Sequence, residues 1–140
     1  MTAYEMKPNP FNEKMTAIKL VDMRTGIPLG TVNNIDFYPA SIPIMAFFDF
    51  FNIRPDADYV LTVTAFFPDG TNYPVHATRV NIPEDKFIQL NNGYGKVSGN
   101  FTFNFTIEKP SDCFFFFLLI DQNENNSDSF YSYHTFGKGV

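Results

Sequence analysis

Apolar and polar residues alternate along nearly all of the chain. Pro, Gly or Asn-Asn interrupts the alternation every eight to twelve residues. A period of two with this punctuation is the pattern of short strands joined by turns. It predicts strands over Thr16–Arg24, Ile27–Tyr38, Ile44–Phe51, Tyr59–Phe67, Val75–Ile82, Phe87–Leu90, Lys96–Ile107, Cys113–Ile120 and Phe130–Phe136. Pro83-Glu84-Asp85 is the one place where a single helical turn is expected, since acidic residues suit a helix start. Parallel sheets need crossover helices, and no longer helical period is present. The expected architecture is therefore all-β: an antiparallel two-sheet sandwich of about 8–9 strands. The expected domain spans 15–136, preceded by a flexible N-terminal arm over 1–14 and followed by a frayed tail over 137–140.

Two of these strands depart from simple alternation. Cys113–Ile120 is apolar at all eight positions, so Cys113, Phe115, Phe117 and Leu119 form one row, and Phe114, Phe116, Leu118 and Ile120 the other. A two-layer sandwich has an inside for only one row, and either can be the outer one. In Ile44–Phe51, Asp49 shares a row with Met45, Phe47 and Phe51, which makes Ile44, Ala46, Phe48 and Phe50 the better core face. If the two strands lie in one sheet, their outer rows merge into a patch larger than soluble monomers tolerate. Met45, Phe47, Phe51, Phe115 and Phe117 are the interface candidates on this reading. The competing cover is intrachain, from the arm with Tyr4, Met6 and Phe11 or from the Asn81–Leu90 segment.

The turn Pro55-Asp56-Ala57-Asp58-Tyr59 opens an alternating strand, and Pro110-Ser111-Asp112-Cys113-Phe114 opens the Phe-rich one. Their exits are Phe67-Pro68-Asp69-Gly70 and Ile120-Asp121-Gln122-Asn123. This layout over about residues 40–136 resembles the core strands of immunoglobulin-like and fibronectin-like sandwiches. It departs from true immunoglobulin domains in lacking the Cys–Trp–Cys set. The resemblance implies architecture and carries no function, because that scaffold hosts many.

At 140 residues the chain is long enough to build one core without metal or disulfide staples. The net charge is −5 with no basic stripe, which argues against nucleic acid and anionic membranes as partners. The polar Met1–Lys14 segment has no hydrophobic region, so a cytoplasmic location is expected. On that basis the sequons at Asn100, Asn104 and Asn125 are read as chance in an Asn-rich chain. Frequent Phe, Asn, Ile and Lys hints at an AT-rich bacterial or phage genome.

Catalytic chemistry finds little to work with. His76 and His134 fall on separate strands, and no His-x-His or Cys/His spacing accompanies them. A nucleophile would have to be Cys113 or a serine beside one of these histidines, without a Gly-x-Ser-x-Gly elbow. The lone Cys113 sits in the apolar run and is read as inert core. Asp121, Asn123 and Asn125 start like a calcium loop, but the sixth position is Asn126 and the twelfth Ser132, so a solvated turn is expected. Asp49 is read as an inward-pointing or edge charge that discourages wrong strand pairing. Tyr131 and Tyr133, with Tyr94, are candidate stacking residues but read first as ordinary strand residues. The expected function is a non-catalytic structural or interaction domain without cofactor, self-associating as a homodimer. A small-molecule or carbohydrate-binding module is the alternative.

Overall fold

The structure, a computed structural model, describes residues 5–139. Ten strands form two five-stranded sheets packed face to face. They are β1 (Lys14–Asp22), β2 (Ile27–Pro28), β3 (Val32–Ile35), β4 (Ala40–Ile53), β5 (Tyr59–Phe66), β6 (Asn72–Val80), β7 (Gln89–Asn91), β8 (Tyr94–Ile107), β9 (Ser111–Ile120) and β10 (Asn126–Lys138). Sheet A runs β2-β1-β4-β8-β7 and sheet B runs β3-β10-β9-β5-β6. A single 3₁₀ turn, Glu84–Lys86, lies on the crossing from β6 to β7. The protein is an all-β two-sheet sandwich, as the alternation implies, with the immunoglobulin-like architecture that the resemblance implies.

The inner rows interdigitate. Leu61, Val63 and Ala65 of β5 pair with Leu119, Phe117 and Phe115 of β9 and share their face. Across the gap stand Ile42, Ile44 and Ala46 of β4 with Phe103 and Phe105 of β8. Phe115 meets Phe103 and Phe105 edge-on, with ring centroids 5.8 and 4.9 Å apart, a preferred aromatic geometry. Leu61, Val63, Phe48, Phe103 and Phe105 share one core, as their alternation predicts.

Several expectations are corrected. Ile27–Tyr38 is not one strand. It splits into β2 on the edge of sheet A and β3 on the edge of sheet B, because Pro28 and Gly30 break the ladder between them. The sheets are not wholly antiparallel, since β3 runs parallel to β10 from Val32↔Thr135 to Ile35↔Lys138. No crossover helix is needed there, because the six strands β4 to β9 lie between the two in sequence. This pairing carries β10 to Lys138, so Gly137 and Lys138 are strand residues rather than a frayed tail. Pro43 lies inside β4, before the predicted start of that strand at Ile44. Its missing N–H faces the side where the β1 ladder ends at Asp22↔Ile44, and its carbonyl accepts the Met23 amide at 2.9 Å.

The arm is tied down over its described part. Lys7 Nζ reaches the buried Asp128 carboxylate at 2.7 Å and the Ser129 carbonyl at 3.1 Å. Asn52 holds the Phe11 carbonyl, and the Glu13 amide bonds the Asn52 carbonyl. Met6 and Phe11 remain 76% and 73% exposed, so neither packs down as an apolar cover. Tyr4 lies outside the described residues.

Phe103→Ala should cost about 3–5 kcal/mol, the usual range for removing a buried Phe. Urea denaturation measures it. A loss under about 1 kcal/mol would mean that the inner face of β8 is misassigned.

Candidate interaction face

The outer surface of sheet B is built by register. Phe114 pairs with Phe66 of β5 and Tyr133 of β10, and Phe116 with Thr64 and Tyr131. Leu118 pairs with Thr62 and Ser129, and Ile120 with Val60. All these side chains point away from the core. Phe66 stacks on Phe114 at 4.9 Å with the ring planes 8° apart. Phe116 lies 5.0 Å from Tyr131, and Phe114 lies 5.2 Å from Tyr133. Five rings thus form one contiguous layer over three strands. Tyr131 and Tyr133 are 50% and 65% exposed, and Phe66, Phe114 and Phe116 are half-buried by one another. No charged residue lies on the outer rows of β5, or of β9 between Phe114 and Ile120.

The structure separates the expected interface residues. β4 and β9 lie in opposite sheets, so their outer rows face opposite sides of the sandwich and cannot merge. Phe115 and Phe117 are corrected outright: they are 0% and 1% exposed and belong to the inner row. Their β5 partners Ala65 and Val63 set that row, and Phe114 and Phe116 are the outward ones. Met45, Phe47 and Phe51 do face outward from sheet A, but polar neighbours break up the row. Lys19 lies opposite Phe47, Lys96 Nζ sits 4.5 Å over the Phe51 ring, and Asp49 accepts the Ser98 hydroxyl at 2.5 Å. Asp49 is on a central strand, flanked by β1 and β8, so the edge-charge reading is corrected as well.

Alternation does not single out Phe66, because it places Phe67 on the inward row. The signal is the Phe66-Phe67 pair, two large rings where one position has to face out. Tyr94 stands apart from Tyr131 and Tyr133; it lies on β8 in sheet A with its hydroxyl 2.9 Å from Arg54.

Cys113, Asp121, His76 and His134 are each engaged in structural contacts elsewhere. Cys113 is buried, and burial pushes its thiol up to about 12, which keeps it protonated and unreactive. Asp121 accepts the amides of Asn123 and Asn125 at 2.9 Å each, so its carboxylate closes its own turn. No cluster of three or more His, Cys, Asp or Glu suited to a metal occurs among the described residues. His76 stacks on Phe101 at 4.9 Å where β6 meets β8. His134 is buried on β10, with Nδ1 2.6 Å from the Gly30 carbonyl and Nε2 2.7 Å from Ser132 Oγ. Nδ1 must donate to the carbonyl, so Nε2 accepts the hydroxyl. Nothing in the sequence pattern signals this Ser132–His134 pair. Its third member is a backbone carbonyl rather than a carboxylate, and it joins β10 to the loop before β3.

No family model and no curated protein matches this chain. Among solved structures, it resembles a bacterial adhesin from Mobiluncus mulieris that contains intramolecular disulfide, isopeptide and ester bond cross-links. The TM-score is 0.52 at 7% identity, over 89% of this chain and 49% of the adhesin chain. The chain therefore spans about half the length of that structure. At this identity the likeness shows the sandwich fold.

Burial holds the His134 imidazole below its ordinary value, with the Gly30 bond acting in the opposite direction. The unfolded chain takes up this proton near pH 6.5, and the folded chain only at lower pH. Unfolding therefore gains a proton in that window, and stability falls as pH drops through about 6.5. His76 is lowered by burial too and adds to the slope. Urea midpoints measured between neutral and mildly acidic pH should fall, and His134→Asn should flatten the dependence. An unchanged slope in that variant would contradict the assignment.

Proposed function

We propose that this chain is a non-catalytic interaction domain that associates with a second copy of itself through the outer face of sheet B. The carrying observation is the layer formed by Phe66, Phe114, Phe116, Tyr131 and Tyr133, continued by Leu118, Ile120 and Val60 on the same face. A face of this kind is costly in water and characteristic of docking sites. Tyr and Phe are also the residues that interface centres enrich.

Magnitudes set the expected strength. Three strands about 4.8 Å apart and seven residues long give a flat footprint of roughly 330 Å² per copy. Burying roughly 660 Å² in total contributes about 16 kcal/mol gross at about 25 cal/mol per Å². Association costs about 4–15 kcal/mol before side chains are ordered. The surplus fits a weak dimer, micromolar at best, and the footprint is below that of standard specific interfaces. The similar sandwich in a bacterial adhesin accords with an interaction role.

A second reading, a carbohydrate- or small-molecule-binding module, draws on the nearly parallel Tyr131 and Tyr133 rings, 6.3 Å and 18° apart. The few hydroxyls around them, on Thr62, Thr64 and Ser129, offer little directional hydrogen bonding. The dimer is therefore preferred.

Sedimentation equilibrium from low to high micromolar concentration tests the proposal. The unaltered chain should shift from monomer to dimer, and Tyr131→Lys with Tyr133→Lys should hold it monomeric with an unchanged fold. Phe47→Lys, on the opposite sheet, should have no effect. A monomer mass at all concentrations would overturn the dimer and favour the ligand reading.

A further inference from the structure

β8 has one edge in use and one open. The odd residues pair with β4, as Phe103 does with Ile44. The even residues face the other way: the Lys96 carbonyl accepts the Ile88 amide, and the Thr106 carbonyl accepts the Tyr73 hydroxyl. Between these two points, the main-chain groups of Ser98, Asn100, Thr102 and Asn104 pair with no strand among the described residues: β7 reaches only Tyr94–Lys96, and β6 approaches β8 with His76 on Phe101 without pairing to it. All four residues are exposed.

The other edges carry the usual guards. β2 is two residues long and contains Pro28. β6 contains Pro74 and Arg79, with a bulge opposite Val63 and Thr64. β3 and β7 are four and three residues long. The open stretch of β8, Ser-Gly-Asn-Phe-Thr-Phe-Asn-Phe-Thr, has no charge, no proline and no bulge.

A cavity of about 630 Å³ lies at the far end of this edge, between the β5–β6 and β8–β9 turns. Phe67, Tyr73 and Ile107 give it an apolar lining, and its exposed residues include Asp69, Glu108 and Lys109. Its size is that of a small-ligand pocket.

We propose that the open β8 edge and this cavity form a binding site for an extended peptide segment of another protein. The segment would be added to sheet A as a strand, with one bulky apolar side chain in the cavity. Four residues with both main-chain groups free supply up to eight backbone bonds, and the cavity supplies the selectivity, the division of labour typical of strand addition. A second copy fits less well. Its own β8 has Phe101, Phe103 and Phe105 committed to its own core cluster, which leaves no large side chain for the cavity. Charge narrows the partner further: Asp69 and Glu108 against Lys109 leave one net negative charge, so the segment is neutral or basic near its anchor. This site is separate from the aromatic face of sheet B and stands whether or not that face dimerises.

The test uses soluble lysine-tailed nonapeptides of alternating Thr and Val, with one central position set to Phe, Leu, Ala or Asp. Anisotropy should show binding of the Phe and Leu peptides, a loss of about tenfold or more for Ala, and none for Asp. Hydrogen exchange should slow at the amides of Ser98, Asn100, Thr102 and Asn104 on adding the Phe peptide. Thr102→Pro removes an amide that bonds nothing within the fold and should abolish binding. If that variant does not fold, the exchange pattern of the unaltered chain decides. Absence of binding, binding indifferent to Thr102→Pro, or slowing elsewhere would overturn the proposal. So would slowing without peptide that grows with protein concentration, which would place a second copy on the edge.

Discussion

The packing of Phe115 and Phe117 against Phe103 and Phe105 determines how the remaining surfaces of this molecule are composed. Strand geometry allows each residue one side of its sheet. Once β9 commits its odd positions to the space between the sheets, its even positions are committed to solvent. The alternating inner row of β5 beside it and that of β8 across the gap complete the core with apolar side chains. The consequence is an outer row of Phe114, Phe116, Leu118 and Ile120 that the fold itself does not cover.

Register then concentrates that exposed row instead of scattering it. β5 places Phe66 beside Phe114, and β10 places Tyr131 and Tyr133 over Phe116 and Phe114. Sheet A shows the contrasting outcome. Its outward apolar residues alternate with Lys19, Asp49 and the Asn and Thr side chains of β8, and no continuous face forms. One sheet thus presents a face and the other an edge. Both arise from which residue types fall on even positions.

The sequence is informative where a strand's own alternation decides its orientation. Leu61, Val63 and Ala65 turn inward, as do Phe103, Phe105 and Ile107, and the split of β4 around Asp49 is as expected. It is silent where orientation comes from distant partners. In β9 both rows are apolar, and the choice between them rests on pairing with β5, some fifty residues earlier. It is also silent on local backbone irregularity. Ala17 adopts φ 53° in a bulge between Thr16 and Lys19, which shifts the inward positions of β1 from Met15 to Leu20 and Asp22. The outer aromatic face is half legible: the Phe run announces an excess row, but Phe66 and the tyrosines join it only through long-range register.

The central claim is that the two rows of β9 have different duties, the inner one stability and the outer one association. Urea denaturation of Phe115→Ala and Phe116→Ala, each at a low and a high protein concentration, tests it most directly. Phe115→Ala should lower stability by about 3–5 kcal/mol at both concentrations. Phe116→Ala should cost much less at low concentration and should weaken the gain in stability that the proposed dimer would give the unaltered chain at high concentration. Equal losses from the two substitutions, independent of concentration, would contradict the account.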